Sequence, residues 1–135
     1  MKDLVSALPV WKDSEALECV SVVPEAPHTA SFSFRAPSGA LFSYEPGQFL
    51  TLEIPAPDQP GGVVHRTYTI SSSPSRPRSI TITAKAQADS IGTRWMLDNL
   101  QPGMRIKAIG PAGVFSNSNS TARRYLFISA GSGIT

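Results

Sequence analysis

The chain has 135 residues and a formal net charge of +2, with 12 Lys and Arg residues against 10 Asp and Glu residues, which predicts one main domain that does not bind nucleic acid. Its single cysteine, Cys19, excludes an internal disulfide and a multi-cysteine metal site within this sequence, and it fits a reducing compartment. Residues 1–9 lack the apolar core of a signal peptide, and no apolar run reaches transmembrane length, so we expect a cytoplasmic protein outside the membrane.

Six short stretches of the sequence have the pattern of β-strands. Each is rich in β-branched residues or alternates apolar and polar side chains, and turn residues such as Pro and Gly separate them. In chain order the stretches are residues 16–23, 29–35, 48–54, 65–74, 79–85 and 104–109. This succession predicts an all-β fold, a six-stranded antiparallel Greek-key barrel with one short helix, over residues 15–115. Residues 1–14 have no clear periodicity and are expected to form an N-terminal extension.

The fourth stretch combines a cation, an aromatic ring and a row of hydroxyl groups. Alternation along a strand places Arg66 and Tyr68 on one face and Thr67 and Thr69 on the other. Arginine binds phosphate through a planar fork of donors, and tyrosine offers a flat face for stacking. These side chains therefore suit a ligand with a phosphate and a ring system, such as a flavin nucleotide, which Thr69 reaches only across the strand edge or at a bulge. Taken singly, a solvated arginine and a packing tyrosine are the ordinary explanations.

The predicted helix lies between the last two strands. Residues 89–90 offer Asp or Ser as its cap, and Pro and Gly at residues 102–103 end it. Its first turn contains Gly92 and Thr93, where glycine permits close approach of a ligand and the free amides attract anions. A plain helix cap is the alternative explanation, and Arg94 either reinforces an anion site or faces water.

The end of the sequence has a different pattern. An apolar run at residues 125–130 leads into Gly131-Ser132-Gly133-Ile134-Thr135, as a buried parallel strand leads into the glycine loop of nucleotide-binding α/β domains. Residues 124–135 are therefore expected to be the first strand of a truncated domain of that kind. The polar residues 116–123 are expected to form the linker before it.

Three of these signals occur in one order along the chain: Arg66-Thr67-Tyr68-Thr69, then Gly92-Thr93 at a helix start, then Gly131-Ser132-Gly133 after a strand. In this order they resemble the ferredoxin–NADP reductase superfamily. Pro46-Gly47-Gln48-Phe49 and residues 110–115 are similar to supporting motifs of that family. The resemblance extends over residues 15–135 and points in particular to bacterial NADH-dependent reductases that serve hybrid-cluster proteins or Rieske-type oxygenases.

The resemblance implies a function and roles for the matching residues. The implied function is the flavin-binding domain of an NAD(P)H-dependent oxidoreductase that passes electrons through FAD to an iron–sulfur or ferredoxin-like acceptor. Tyr68 would pack against the isoalloxazine and Thr69 would reach the flavin N5 region, so these two are the implied catalytic residues. The implied cofactor-binding residues are Arg66, Thr67, Tyr68, Thr69, Ile82, Thr83, Ala84, Lys85, Ile91, Gly92, Thr93, Gly131, Ser132, Gly133 and Thr135.

Several alternatives remain open from the sequence. FMN is possible in place of FAD, and the choice between NADH and NADPH is not readable. The nicotinamide would bind mainly through a domain missing from this chain, so the chain alone is expected not to turn over. Any iron–sulfur cluster would lie outside the chain, because it has no cysteine cluster. An exposed apolar strand at residues 125–130 would favour self-association. The alternative function is a non-catalytic β-barrel module that binds a small ligand or a partner.

Overall fold

The structure, a computed structural model, describes residues 9–115 and 120–129. It contains six strands and one α-helix in these residues, and each predicted strand has its counterpart. In chain order the elements are β1 (Leu17–Ala26), β2 (Thr29–Arg35), β3 (Phe49–Pro55), β4 (Val63–Thr69), β5 (Ile80–Lys85), α1 (Gly92–Asn99) and β6 (Arg105–Ala112). A short 3-10 turn, Pro60–Gly62, leads into β4.

The strands form one sheet in the order β4-β3-β6-β1-β2-β5, and every neighbouring pair is antiparallel. The last of the described strands, β6, is inserted between β1 and β3, which gives the connections their Greek-key character. The sheet is not closed, because its edge strands meet only at the isolated bridge between Ile70 and Ile82. Beside it the Ser71 amide donates to the Thr81 carbonyl oxygen at 2.8 Å. The predicted six-stranded antiparallel fold is thus confirmed, whereas complete closure of the barrel is not observed.

The core follows from strict alternation along three of the strands. One side chain in two faces inward on each of them, and the inward residues are at most 5 % exposed. They are Ala30, Phe32 and Phe34 of β2, Leu50, Leu52 and Ile54 of β3, and Ile80, Ile82 and Ala84 of β5. Met96 and Leu100 of α1 are buried in the same cluster, so the helix packs onto the sheet through its apolar side.

Part of the N-terminal stretch packs against the sheet. Trp11 is buried, and its ring centroid lies 5.7 Å from that of Phe42. The Trp11 amide donates to the Leu41 carbonyl oxygen at 2.7 Å. The described part of this segment is therefore held by both backbone and ring contacts.

The start of α1 differs from the prediction. Its N-cap position is Ile91, and no side chain caps it. The predicted cap at residues 89–90 was wrong, because the Ser90 hydroxyl accepts a hydrogen bond from the Gln87 amide at 2.8 Å and so stabilises the preceding turn instead. The helix ends as predicted before Pro102 and Gly103, with Leu100 already in an extended conformation.

The described residues 120–129 contain no helix or strand. Leu126, Phe127 and Ile128 are 84 %, 81 % and 86 % exposed. The predicted strand at residues 125–130 is therefore not formed in its described part. A parallel strand needs a neighbour for its backbone hydrogen bonds, and no strand of the described residues pairs with this segment. No helix in the described part of the chain is long and apolar enough to cross a membrane.

Candidate functional site

The side chains of β4 lie on two faces, as the alternation predicted. Arg66 is paired with Leu52 and Tyr68 with Leu50 in the antiparallel ladder with β3. Directly opposite residues point to the same side of a sheet, and both leucines are fully buried. Arg66 and Tyr68 therefore lie on the core-facing side of β4, which is an edge strand paired only with β3. The Arg66 guanidinium turns outward, and its Nη1 donates to the His65 carbonyl oxygen at 2.8 Å.

The two threonines of β4 lie on the other face. Thr67 is paired with Thr51, and their hydroxyl oxygens are 3.3 Å apart on the exposed side. Thr69 is paired with Phe49 and is half-buried at the end of the strand. The structure thus does not bring Thr67 and Thr69 onto the same face as Tyr68, and no bulge interrupts β4 to reorient Thr69.

The first turn of α1 packs directly against the Arg66–Tyr68 face of β4. The Tyr68 hydroxyl lies 2.6 Å from the Thr93 hydroxyl. A Cβ placed on Gly92 would lie 3.1 Å from Cγ of Arg66, 3.1 Å from Val64 and 3.0 Å from Ile54. A Cβ here would be tight, so the side chains of Ile54, Val64 and Arg66 would have to shift by a few tenths of an ångström to admit it. The two anion-binding features predicted from distant parts of the sequence lie side by side.

The electrostatics of this corner favour an anion. No acidic side chain occupies the first turn of α1, and no side chain caps it, so the positive end of the helix dipole is not neutralised locally. The Arg66 guanidinium is exposed beside it and forms no ion pair with any described residue. A phosphate placed here would meet a fork of charged donors and the helix amides together.

Tyr68 is held in a fixed orientation beside the cation. Burial raises the pKa of the Tyr68 hydroxyl above its ordinary value of 10.0, while the hydrogen bond to Thr93 and the positive charge of Arg66 act in the lowering direction. Tyr68 is consequently neutral at physiological pH. Its hydroxyl is occupied by Thr93, which is itself only 8 % exposed, so the ring is a rigid platform.

The predicted residues of β5 contribute mainly to the sheet. Ile82 and Ala84 point into the core. The Thr83 hydroxyl lies 2.8 Å from that of Ser31 and 3.0 Å from that of Ser71, so it links β5 to β2 and to the segment after β4. Lys85 is exposed at the end of β5.

The remaining predicted residues fall into two groups. Ile91 is 42 % exposed immediately before α1, next to Gly92. Gly131, Ser132, Gly133 and Thr135 lie outside the described residues. The structure therefore brings together Arg66, Tyr68, Gly92 and Thr93, with Ile91 adjacent in the chain.

One polar contact of α1 could not be predicted from the sequence. Nη2 of Arg94 lies 3.3 Å from Nδ1 of His28. His28 stands in the turn between β1 and β2 with a φ of 59°. Nothing local in the sequence connects residue 28 with residue 94, because only the antiparallel order of the sheet brings that turn beside the helix.

Comparison with known proteins decides the family. Residues 18–117 match the family model described as oxidoreductase FAD-binding domain. The chain belongs to the oxidoreductase FAD-binding domain family. The matched range includes all of β2 to β6 and α1, so it contains the whole corner between β4 and the helix.

Curated relatives of this FAD-binding domain are reductase subunits. The stachydrine N-demethylase reductase subunit Stc4 of Rhizobium meliloti (strain 1021) is 66 % identical over 128 residues, which cover 95 % of this chain and 35 % of the relative. The glycine betaine monooxygenase reductase subunit of Pseudomonas aeruginosa (strain UCBPP-PA14) is 40 % identical over 126 residues, covering 93 % of this chain and 34 % of the relative. The chain thus spans about a third of the length of these relatives.

A solved structure shares the fold of this FAD-binding domain. Phthalate dioxygenase reductase superposes with a TM-score of 0.66 at 22 % identity, over 78 % of this chain and 33 % of that chain. At this level of identity the similarity concerns the fold alone. It shows that the fold of the antiparallel sheet with α1 is shared by that reductase.

The residues at the corner fit FAD on their own chemistry. A diphosphate requires positively charged or amide donors, and the corner supplies a guanidinium and an uncapped helix start without a competing carboxylate. A planar ring requires a flat, immobilised partner, and Tyr68 is anchored through its hydroxyl.

Proposed function

We propose that this chain is the FAD-holding domain of a reductase that takes electrons from NAD(P)H and passes them to an iron–sulfur protein, such as an oxygenase component. The observation that carries the proposal is the contact of the Arg66–Tyr68 face with the first turn of α1. The names of the relatives, which are reductase subunits of a demethylase and a monooxygenase, support the oxygenase as the class of acceptor.

In this proposal each residue of the corner has a distinct role. Arg66 binds one phosphate through its guanidinium, and the amides around Ile91, Gly92 and Thr93 bind the diphosphate at the helix start. Tyr68 packs against the isoalloxazine as a rigid platform. Tyr68 and Thr69 lie on opposite faces of β4. Because the isoalloxazine packs on the face of Tyr68, Thr69 acts across the strand edge, toward the flavin N5 region. Bound FAD would supply the chemistry that links a two-electron donor with one-electron acceptors.

The roles of the remaining residues of the proposed site are carried over from the resemblance to the family. The backbone around residues 82–84 and the side chain of Lys85 would border the ring and the phosphates, and Thr67 would support its neighbours in β4. Gly131, Ser132, Gly133 and Thr135 would begin the nicotinamide site. These assignments follow from the resemblance of the sequence motifs.

The free energy of binding FAD exceeds what any single contact contributes, so several contacts must act together. A hydrogen bond to a charged group contributes about 1.5–3 kcal/mol, and stacking on an aromatic ring adds about 0.5–1.5 kcal/mol. A dissociation constant of about 1 μM corresponds to about 8 kcal/mol. Neither Arg66 nor Tyr68 therefore suffices alone, and the helix amides must contribute.

The role of the Arg66 guanidinium in binding FAD can be tested by substitution. Replacing it with Ala removes the charged fork, so we expect FAD affinity to fall at least about tenfold, since a lost charge-assisted bond is worth about 1.5–3 kcal/mol. The measurement is titration of the purified chain by quenching of flavin fluorescence, with mass spectrometry identifying any flavin released on denaturation. Arg78, an exposed arginine before β5, provides the matched control, and Arg78→Ala should bind FAD normally. Unchanged affinity in Arg66→Ala would remove Arg66 from the site.

We also propose a cytoplasmic location and some self-association. The buried free thiol of Cys19 is compatible with a reducing compartment. The exposed side chains of Leu126, Phe127 and Ile128 are candidates for contact between copies. Sedimentation velocity over a range of concentrations tests this second proposal, and a strictly monomeric chain would contradict it.

A further inference from the structure

Gln48 joins three separate segments of the chain immediately before β3. Its carbonyl oxygen accepts a hydrogen bond from the Ile70 amide at 2.9 Å, just after β4. Its side-chain Oε1 accepts from the Glu45 amide at 2.9 Å, in the turn before β3. Its side-chain Nε2 donates to the carbonyl oxygen of Gly113 at 3.2 Å, just after β6. The Gln48 side chain therefore ties the end of β6 to the turn that precedes β3.

Gly113 is held against β3 by its shape as well as by this hydrogen bond. Its φ is 115°, a conformation that glycine adopts without strain. A Cβ on Gly113 would lie 2.9 Å from Cε1 and 3.0 Å from Cδ1 of the Phe49 ring. The Gly113 backbone therefore lies directly on that ring. The next side chains, Val114 and Phe115, are 88 % and 87 % exposed, so the chain leaves the sheet at this point.

The segment that leaves β6 lies on the same face of the sheet as Thr69. Leu50 is fully buried, so its neighbour Phe49 points to the outer face of β3. Phe49 is paired with Thr69 on one side and with Ala112 on the other. Because neighbouring strands lie about 4.8 Å apart, the backbones of Thr69 and Ala112 are about 10 Å from each other. Gly113, which packs on the Phe49 ring, therefore shares the face of Thr69.

We propose that Gln48 is a positioning residue for hydride transfer, because it fixes where the chain beyond β6 passes over the Thr69 face. This inference rests on the proposed function, in which Thr69 borders the flavin N5 region and Gly131 begins the nicotinamide site. Hydride passes from the nicotinamide of NAD(P)H to flavin N5, so the nicotinamide is oxidised and the flavin is reduced by two electrons. The rate of such a step depends steeply on how the reacting rings are placed. Gln48 acts on that placement only through Gly113.

Two substitutions separate the contacts of the Gln48 side chain. Gln48→Met keeps the length of the side chain and removes both of its hydrogen bonds. Gln48→Glu keeps an oxygen for the Glu45 amide, but an ionised carboxylate has no donor for the Gly113 carbonyl oxygen. Gln101→Met, at an exposed glutamine between α1 and β6, is the matched control.

The experiment is anaerobic stopped-flow reduction of the bound flavin by saturating NADH or NADPH in the reductase that carries this chain. We expect Gln48→Met and Gln48→Glu each to slow flavin reduction at least about tenfold, while FAD affinity changes by less than about threefold. In 15N relaxation of the 135-residue chain, the amides of Val114 and Phe115 should become more mobile in both variants. Gln101→Met should match wild type in all three measurements.

The outcomes separate this inference from the proposed function. An unchanged rate of flavin reduction in Gln48→Glu would overturn the inference, because that variant lacks the bond to Gly113. A loss confined to Gln48→Met would assign the effect to the Glu45 turn and would overturn it as well, as would a slower reduction explained by an equal loss of FAD affinity. If the wild-type reductase binds no FAD, or if neither nicotinamide cofactor reduces its flavin, the proposed function itself fails.

Discussion

At the scale of single residues, the site depends on one strand that presents different chemistry on its two faces. The alternation of β4 could be predicted from sequence, and the structure places Arg66 and Tyr68 together on the core-facing side. The hydroxyl partner of Tyr68 could not be predicted, because Thr93 is 25 residues away and meets it only when α1 packs on β4.

Tyr68→Phe should destabilise the fold by about 1–2 kcal/mol, because it leaves the buried Thr93 hydroxyl without its partner. Flavin affinity should fall little, since the ring remains. Urea unfolding followed by circular dichroism measures the change. Thr67→Ala removes an exposed hydroxyl contact on the other face and serves as the control, with a change below about 0.5 kcal/mol. If both substitutions lower the free energy of unfolding equally, the hydrogen bond between Tyr68 and Thr93 stabilises the fold no more than the exposed contact of Thr67 does.

The raised pKa of Tyr68 makes stability depend on pH in the alkaline range. Folding raises the pKa above the ordinary value of 10.0, so the native state favours the neutral phenol. This contribution to stability is complete below that value and is lost as the pH rises through the folded-state pKa. Tyr68→Phe should therefore lose less stability than wild type when unfolding is compared at about pH 9 and about pH 11. Burial also raises the pKa of Tyr44, so Tyr68→Phe should keep part of the pH dependence of stability. Identical pH profiles of the unfolding free energy in wild type and Tyr68→Phe would contradict this role of Tyr68.

At the scale of elements, α1 completes the candidate site, because its first turn packs against Arg66 and Tyr68 of β4. Its end could be predicted from sequence. Its start could not, because Ser90 looked like a cap until the structure showed its hydroxyl bonded to the Gln87 amide. The absence of a side-chain cap is itself useful, since it leaves the helix start to a ligand.

Gly92→Ala tests the close approach of α1 to β4. Alanine favours a helix by up to about 1 kcal/mol over glycine, but the added Cβ would crowd Arg66, Val64 and Ile54 at 3.0–3.1 Å. We expect the two effects nearly to cancel in stability, within about 1 kcal/mol. FAD affinity should fall severalfold, because the stem of Arg66 must move. Asp98→Ala, on the exposed side of α1, is the control, and unchanged FAD affinity in Gly92→Ala would show that the close packing is not needed for binding.

At the scale of the whole molecule, the strand order determines which residues meet. The pattern of the sequence predicted six antiparallel strands, but not that β4 and β5 would be the edges of the sheet, joined by the bridge between Ile70 and Ile82 and by the contacts of Ser71 beside it. That order brings the β1–β2 turn and α1 together and produces the His28–Arg94 contact. The strand predicted from the apolar run at residues 125–130 stays a prediction, because a parallel strand requires a neighbour and no described strand pairs with residues 125–129.

The most direct measurement is a map of backbone amide shifts by nuclear magnetic resonance during titration of the 15N-labelled chain with FAD. We expect shifts concentrated in residues 66–69 and 91–94, which β4 and the start of α1 bring together. Trp11 and Ser38, which lie beyond the end of β2 remote from His28, should not shift. Shifts in the β4 residues without shifts at the helix start, or the largest shifts around Trp11, would contradict the claim that one nucleotide binds between the strand and the helix.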